Sequence, residues 1–266
     1  MTIDFSDALS FAVTITREAG ELALKLRTDD ALDTRMKNGA ELVTAADLAI
    51  DQLIQDAIAQ RFPGHRVVSE EAVTDLAAVA DGSVWIMDPI DGTANYASGG
   101  PYFGIALALA IEGEVKVGVV HAPQLRETFT AIKGAGARLN GRAISVGPGN
   151  PLAHAVISTG FPHIRGDIAP LVTRVERLLA NCRDIRRGSS PVIDICWVGC
   201  GRLDAHTETL FAWDVAAAGL VATEAGALRG NLGFVPANVP VDLAGEQVIF
   251  AHPRIYDELF KLLAAA

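Results

Sequence analysis

The sequence predicts a chain of two lobes, the first α+β and the second α/β. Two helical patterns come first, a run of strand patterns follows, and strands and helices then alternate to the end. With 266 residues, the chain lies near the size at which one hydrophobic core divides into two. We therefore expect an N-terminal lobe over residues 1–147 and a C-terminal lobe over residues 148–266.

Two helices are expected at the start of the first lobe. Apolar residues recur at helical spacing over residues 4–27 and again over residues 44–63. Thr44, with Asp47 three residues later, resembles a capping box that begins the second helix. The polar residues 28–40 between these patterns predict a loop.

Strand patterns dominate the rest of the first lobe. They cover residues 66–69, 84–88, 102–111, 114–121 and 127–133. Asn140-Gly141 is a strong hairpin signal, and several neighbouring strands are expected to pair antiparallel. The Pro/Gly-rich residues 147–151 mark the expected boundary between the lobes.

The second lobe shows the alternation of strands and helices that is typical of α/β proteins. Strands are predicted at residues 155–160, 203–207 and 247–252, and helices at residues 168–180, 191–199, 213–225 and 254–263.

Composition and charge argue against several classes of protein. The net charge of −10 repels nucleic acid, and no apolar stretch approaches the ~20 residues of a membrane span, so neither partner is expected. The N-terminus shows no secretory signal, which predicts a cytoplasmic location. Three cysteines without C-x-x-C spacing fit reduced thiols, and six scattered histidines do not suggest zinc.

The densest chemical signal is a pair of aspartates at the end of a predicted strand. Asp88 ends the strand, Pro89 fixes the backbone, and Asp91 follows three residues after Asp88. Two carboxylates ~4 Å apart repel by about 4 kcal/mol at an effective dielectric constant of about 20, so a cation is expected between them. Mg²⁺ fits, because it prefers carboxylate and carbonyl oxygens. The alternative is that Asp-Pro and Asp-Gly are ordinary turn dipeptides.

Two further acidic residues occupy similar positions. Glu70 closes the strand pattern at residues 66–69, and Asp214 begins a predicted apolar helix. Strand ends are the usual place for site residues in α/β proteins. Taken singly, Glu70 is compatible with a solvated surface and Asp214 with an ordinary helix N-cap.

Three motifs together resemble the inositol monophosphatase family, whose members are lithium-sensitive, Mg²⁺-dependent phosphatases. They are Val68-Ser69-Glu70-Glu71, Trp85-Ile86-Met87-Asp88-Pro89-Ile90-Asp91-Gly92-Thr93 and Trp213-Asp214-Val215-Ala216-Ala217-Ala218-Gly219. The resemblance spans nearly the whole chain. It implies the layered αβαβα sandwich of the inositol monophosphatase and fructose-1,6-bisphosphatase type, a homodimer, and a small phosphorylated substrate.

The resemblance also implies a role for individual residues. Two to three Mg²⁺ ions would be bound by Glu70, Asp88, the Ile90 carbonyl, Asp91 and Asp214. Glu70 and Thr93, the latter hydrogen-bonded to Asp47, would orient the attacking water. The substrate would be held by Asp91, Gly92, Thr93, Ser190, Glu208 and Asp214, with the N–H groups of Gly92 and Thr93 on the phosphate. Lys37 matches a family lysine, and a solvated lysine is the alternative.

The chain departs from the family pattern around the expected substrate pocket. The segment from Glu208 to Trp213 is one residue shorter than usual, and Phe211-Ala212 replaces a polar or Lys-Pro sequence. Inositol monophosphate is the first expected substrate. Histidinol phosphate, fructose 1,6-bisphosphate and a nucleotide 3′-phosphate remain open.

Two alternatives concern the function more broadly, and the role of one arginine cluster is open as well. A haloacid-dehalogenase-type phosphatase uses two aspartates spaced by two residues rather than three, which argues against it here. A non-catalytic regulatory protein would not require the full set of metal ligands. Arg183, Arg186 and Arg187 could contact a second anionic group, although a solvated strand face is the favoured explanation.

Overall fold

The computed structural model describes residues 3–28, 34–37, 41–72, 79–162 and 166–264. Its first helices match the expectation: α1 spans Phe5–Thr28 and α2 spans Ala45–Arg61. The loop predicted at residues 28–40 is wrong in part, because β1 (Thr34–Lys37) pairs antiparallel with β2 (Glu41–Thr44). The remaining residues of that loop lie outside the described ranges, apart from Thr28 at the end of α1.

A seven-stranded sheet follows α2, and its strands lie in chain order. The strands are β3 (Arg66–Ser69), β4 (Ser83–Asp91), β5 (Gly104–Ile111), β6 (Glu114–Ala122), β7 (Glu127–Ile132), β8 (Ala137–Leu139) and β9 (Arg142–Ala143). β3 and β4 are parallel, and the other neighbours pair antiparallel. The hairpin predicted at Asn140-Gly141 is confirmed as the β8–β9 turn.

A five-stranded sheet is built from the second half of the chain. Its strands are β10 (Val156–Thr159), β11 (Asp184–Arg186), β12 (Ala205–Glu208), β13 (Leu228–Asn231) and β14 (Val248–Ala251), in the spatial order β11-β10-β12-β14-β13. The first three strands in that order are parallel, and the last two join antiparallel. Sequence analysis missed β13.

Five further helices connect or cover these sheets. They are α3 (Thr93–Ala97), α4 (Ala169–Asn181), α5 (Pro191–Gly199), α6 (Ala212–Glu224) and α7 (Pro253–Ala264). Each of the four helices predicted for the second half is present, with its bounds within a residue or two of the expectation.

The side chains of β4 show how the layers are arranged. Trp85 and Met87 point into a core that they share with α1 and α2, whereas Val84 and Ile86 point into a core shared with α5 and α6. A third core joins the outer face of the five-stranded sheet to α4 and α7, through Ile157 and other apolar residues. The result is five layers, helix–sheet–helix–sheet–helix, so the predicted αβαβα sandwich is confirmed.

One glycine shows how closely these layers approach. A Cβ atom on Gly118, in the middle of β6, would lie 2.8 Å from the backbone oxygen of Ala217 in α6. Only glycine lets α6 lie this close to the seven-stranded sheet. α6 carries Asp214 in its first turn, so this packing fixes the position of that carboxylate.

The seven-stranded sheet lies within residues 66–143 and the five-stranded sheet within residues 156–251. A division into lobes after residue 147 stays a prediction. Among the described residues, none of the helices is both long and apolar enough to cross a membrane.

Candidate metal centre

The end of β4 presents two aspartates to the same space. Asp88 pairs with Ala106 and Asp91 with Gly104, and the register shifts between the two pairs. Four residues of β4 thus oppose three of β5, an irregularity of the kind that re-aims side chains near active sites. Both carboxylates are buried, with Asp88 2% and Asp91 5% exposed.

Asp214 reaches the same space from the first turn of α6. Its Oδ2 accepts the backbone N–H of Phe211 at 2.8 Å, which turns the side chain back toward the start of the helix. One carboxylate oxygen from each of Asp88, Asp91 and Asp214 lies within 4.8 Å of the others. Residues more than 120 positions apart in the chain therefore form one acidic cluster, the Asp88–Asp91–Asp214 cluster.

This cluster is electrostatically unfavourable without a cation. Burial, and then the neighbouring charges of Glu70, Asp91 and Asp214, raise the pKa of Asp88 well above its usual range. Burial and Asp214 do the same to the pKa of Asp91, and burial raises the pKa of Asp214 to about 7. A divalent cation would remove this repulsion and restore all three ionised forms.

The donor set fits Mg²⁺ or a similar hard cation. Asp88 Oδ1 is buried and has no hydrogen-bond partner among the described residues, although such atoms are almost always paired. Two ligands on opposite sides of one Mg²⁺ lie about 4.2 Å apart, close to the spread of the cluster. The atoms needed to hold a cation are therefore present, and the role of each residue as a ligand stays a prediction.

Glu70 borders the cluster. It follows β3, which runs parallel to β4, so both strands bring their carboxyl ends to the same edge of the sheet. Glu70 is half-buried, and its charge is among the causes that raise the pKa of Asp88.

Asp91 is held in place by the start of α5. Its Oδ2 accepts the Ser190 hydroxyl at 2.5 Å and the Val192 backbone N–H at 3.0 Å. Ser190 is fully buried and its hydroxyl is engaged by Asp91, so the structure shows it orienting that carboxylate. The expected contact between Ser190 and substrate stays a prediction.

Gly92 makes the tight turn after Asp91 possible. Its φ is +89°, in the left-handed region that favours glycine. A Cβ atom there would lie 3.0 Å from the Ser189 carbonyl oxygen and 3.1 Å from that of Tyr102.

Thr93 and Asp47 meet beside the cluster. Thr93 Oγ1 lies 3.2 Å from Asp47 Oδ1 and 3.0 Å from the Ile90 carbonyl oxygen, and one hydroxyl proton can serve only one of them at a time. Asp47 also accepts the Thr44 N–H at 2.8 Å. Burial raises its pKa to about 6. The contact expected between Thr93 and Asp47 is present.

Glu208 ends β12 near the cluster. A Cβ atom on Gly160 would lie 2.1 Å from both Glu208 carboxylate oxygens, so the glycine makes room for this side chain. Burial, followed by the charge of Asp214, raises the pKa of Glu208 to about 8. The buried His206 Nε2 lies 3.7 Å from Glu208 Oε2.

The basic residues singled out in the sequence occupy different surroundings. Arg186 pairs with Asp184 on the exposed strand β11, and Arg183 is also exposed. Arg187 is exposed too, and its positive charge lowers the pKa of Glu208, against the larger effect of burial. Lys37 belongs to β1, and its side chain lies outside the described part of the structure.

Sequence reasoning missed two polar pairs that support the site. Ser69 donates to the buried Asp51, one turn after Asp47 on α2, and this i, i+4 spacing of aspartates was a signal for a shared helix face. The Tyr102 hydroxyl donates to Asp194, in the first turn of α5, at 2.6 Å, a long-range contact with no local sequence signal.

Comparison with known proteins agrees with this geometry. The model of the Inositol monophosphatase family matches residues 4–264. Nus factor SuhB of Pasteurella multocida is 36% identical over 259 residues, covering 94% of this chain and 93% of the relative. Inositol monophosphatase of Dictyostelium discoideum is 33% identical over 266 residues, covering 98% and 96%.

Solved structures give the same result. An IMPase of Thermotoga maritima is 32% identical with a TM-score of 0.85, and the match covers 97% of each chain. Staphylococcal inositol monophosphatase-1, soaked in LiCl as an inhibitory complex, is 26% identical with a TM-score of 0.86 and coverages of 100% and 97%. An IMPase/NADP phosphatase with Mg²⁺ and phosphate is 25% identical with a TM-score of 0.85 and coverages of 98% and 97%.

Proposed function

The chain belongs to the inositol monophosphatase family, and on that premise we propose that it hydrolyses a small phosphate monoester with divalent cations bound at its acidic cluster. The observation that carries the proposal is the buried Asp88–Asp91–Asp214 cluster, with Asp88 Oδ1 lacking a hydrogen-bond partner among the described residues. Three mutually repelling carboxylates buried in one place are costly unless a cation binds between them.

The residues around the cluster have separate tasks in this proposal. Asp88, Asp91 and Asp214, with Glu70 and the Ile90 carbonyl, hold two to three Mg²⁺ ions. When bound, these ions supply Lewis acidity, which activates water and stabilises charge on the phosphoryl and leaving oxygens. Ser190 and the Val192 N–H fix Asp91 Oδ2, which leaves its other oxygen to face the cluster.

In this proposal, the hydrogen bond from Thr93 to Asp47 orients the attacking water. When Thr93 Oγ1 donates to Asp47 Oδ1, the lone pairs of the hydroxyl can accept a hydrogen bond from the attacking water. Above pH 6 Asp47 is largely ionised and can hold Thr93 in this orientation. The Gly92 and Thr93 N–H groups hold the phosphate in the proposal, and Glu70 assists in orienting the water.

For the substrate, we propose inositol monophosphate first. Glu208 lies near the Asp88–Asp91–Asp214 cluster, where its carboxyl group can hydrogen-bond hydroxyls of the alcohol that leaves. Histidinol phosphate, fructose 1,6-bisphosphate and a nucleotide 3′-phosphate are the alternatives for the same chemistry. We further propose that the protein is a homodimer and that it is located in the cytoplasm.

A phosphate-release assay over these four compounds, with and without Mg²⁺, tests the function. We expect Mg²⁺-dependent release from at least one of them, and loss of that release in Asp91→Asn. Asp56→Asn makes the same chemical change on the exposed face of α2 and should behave as the wild type. Equal turnover by wild type and Asp91→Asn would refute the proposal.

A second candidate function comes from the similarity to Nus factor SuhB. It is a regulatory role in which the fold binds a macromolecular partner and hydrolysis is dispensable. Absence of phosphate release from every compound, by a protein that binds Mg²⁺ and is folded, would favour this candidate.

A further inference from the structure

A buried histidine lies beside Glu208 on strand β12. His206 and Glu208 are two residues apart, so their side chains lie on the same face of the strand. The imidazole is fully buried, and its Nε2 lies 3.7 Å from Glu208 Oε2. This nitrogen has no hydrogen-bond partner among the described residues. Buried polar atoms are almost always paired, so an unpaired ring nitrogen that faces a carboxylate calls for a functional explanation.

The other ring nitrogen is held by the neighbouring strand. Ser158 of β10 pairs with His206 in the parallel register, and its Oγ lies 2.8 Å from Nδ1. The Ala205 carbonyl oxygen lies 3.5 Å from the same hydroxyl, too far for a good O–H···O bond. Ser158 therefore donates to Nδ1. Burial, followed by the charge of Arg174, lowers the pKa of His206 to about 3, so the ring is neutral and carries its one proton on Nε2.

The Nε2–H group faces an acceptor that is slightly too far away. The 3.7 Å between Nε2 and Glu208 Oε2 is about 0.8 Å longer than a normal N–H···O hydrogen bond. Ser158 fixes the ring, whereas the longer glutamate side chain closes this gap by a small torsional change. Hydrogen bonds at enzyme sites are often long without substrate and shorten when it binds.

Glu208 is the member of the pair that a substrate can reach. Its side chain is 12% exposed, whereas that of His206 is fully buried. After burial, the charge of Asp214 is the largest cause that raises the pKa of Glu208, so these two carboxylates are within electrostatic reach of each other. A carboxylate accepts several hydrogen bonds, so a bond from His206 to one oxygen leaves the other free for hydroxyl groups.

We propose that His206 is a positioning residue whose Nε2–H group holds Glu208 Oε2 while the carboxylate binds hydroxyl groups of the substrate's alcohol. The inference rests on the proposed phosphatase function and on the place of Glu208 in it. It assigns His206 to substrate selectivity rather than to hydrolysis. The favoured class is therefore a phosphate monoester of a polyhydroxylated alcohol, because only such a substrate brings hydroxyl groups to Glu208.

The test compares inositol monophosphate with phenyl phosphate, whose alcohol has no further hydroxyl group, in the full-length protein with Mg²⁺. The readout is the ratio of their kcat/KM values, in which a general loss of activity cancels. His206→Leu keeps an apolar volume but removes the donor, and should lower the ratio about tenfold, the effect of one hydrogen bond to a charged group. His206→Gln keeps an N–H donor and should keep most of the ratio.

Two further variants isolate the contact with Glu208. Glu208→Ala should itself lower the ratio, and adding His206→Leu to it should change the ratio no further, because the partner is already gone. Thr159→Val is the matched control on β10, since its buried hydroxyl donates to the Thr207 carbonyl oxygen instead. We expect the wild-type ratio in this control.

Ser158→Ala provides a second route if His206→Leu does not fold. It removes the hydroxyl that keeps the ring proton on Nε2, so the proton can move to Nδ1, which lies 3.9 Å from Asp194 Oδ2. The ratio should then fall in the same direction, by about threefold. An unchanged ratio in Ser158→Ala would count against the inference.

The outcomes separate the inference from the function on which it rests. A ratio that falls in His206→Leu, is kept in His206→Gln and falls no further in the Glu208→Ala background supports the inference. An unchanged ratio in His206→Leu, an equal fall in His206→Gln, or an equal fall in the Glu208→Ala background overturns it, while Mg²⁺-dependent hydrolysis of phenyl phosphate leaves the phosphatase function intact. Absence of turnover of both compounds and of the other candidate substrates would instead contradict the proposed function.

Discussion

Ser190 donates its hydroxyl proton to Asp91 Oδ2 at 2.5 Å, joining the start of α5 to the end of β4 across 99 residues of chain. The bond is fully buried, and the Val192 N–H binds the same oxygen. The orientation of one acidic residue of the cluster is therefore set by a helix from the other half of the chain.

Removal of this hydroxyl should weaken metal binding. We expect Ser190→Ala to raise the Mg²⁺ concentration for half-maximal activity by roughly 10–100-fold, the usual effect of losing a residue that orients a metal ligand. A Mg²⁺ titration of activity measures this. Ser98→Ala removes an exposed hydroxyl near α3 and is the control. An unchanged Mg²⁺ requirement in Ser190→Ala would show that Val192 alone fixes Asp91.

Thr93 should matter for the rate rather than for metal binding. Thr93→Val removes the hydroxyl that lies 3.2 Å from Asp47 while keeping its volume, and we expect kcat to fall by roughly 10²–10⁴-fold with the Mg²⁺ requirement little changed. Thr14→Val, on the exposed side of α1, is the matched control. A variant whose kcat stays near the wild-type value would remove Thr93 from the mechanism.

Metal-free protein should gain stability when one charge of the cluster is removed. In Asp214→Asn the repulsion with Asp88 and Asp91 is reduced, and the amide oxygen can still accept the Phe211 N–H. We expect the Tm in chelator to rise by about 2–4 °C, and the increase on adding Mg²⁺ to shrink. Thermal unfolding with and without Mg²⁺ checks both. A lower Tm in chelator, with the Mg²⁺ effect retained, is the contrary result.

His206 should make the fold sensitive to acid. Burial, and then the charge of Arg174, lower its pKa to about 3, so the folded state keeps it neutral. In the unfolded chain His206 takes up a proton near pH 6.5, so below that pH protonation favours the unfolded state. The free energy of unfolding should therefore fall as the pH drops from about 6.5 toward 3, by up to about 1.4 kcal/mol per pH unit. Asp194, Glu208 and Arg174 face the ring.

Denaturant unfolding between pH 7 and pH 4 measures this dependence. His206→Gln retains a partner for Ser158 and cannot take up a proton, so its stability should fall less steeply than that of the wild type. His154→Gln, at an exposed position, should follow the wild type. Equal slopes for wild type and His206→Gln would show that another group governs the acid response.

The sequence predicted the helices well because their signals are local. The apolar spacing of α1, and Pro191 at the start of α5, fix these elements without tertiary information. The β1–β2 hairpin was missed because its strands are four residues each and mostly polar. Strand β13 was missed for a similar reason: of its four residues, Leu, Arg, Gly and Asn, only Leu228 has an apolar side chain.

The acidic cluster was predicted from its motifs, but its supporting contacts were not. Asp88 and Asp91 share one strand, so their proximity follows from chain geometry. The bonds of Ser190 to Asp91 and of Tyr102 to Asp194 span more than 90 residues, and only the packing of α5 on the sheet brings these partners together. Position along the chain carries no signal for such contacts.

Crystals soaked with Mn²⁺ would show whether the Asp88–Asp91–Asp214 cluster binds a divalent cation, because Mn²⁺ accepts the same oxygen ligands as Mg²⁺ and scatters anomalously. We expect an anomalous peak about 2.2 Å from carboxylate oxygens of Asp88, Asp91 and Asp214, and its loss in Asp91→Asn crystals. Strong peaks elsewhere on the molecule, with none between these three side chains, would contradict it.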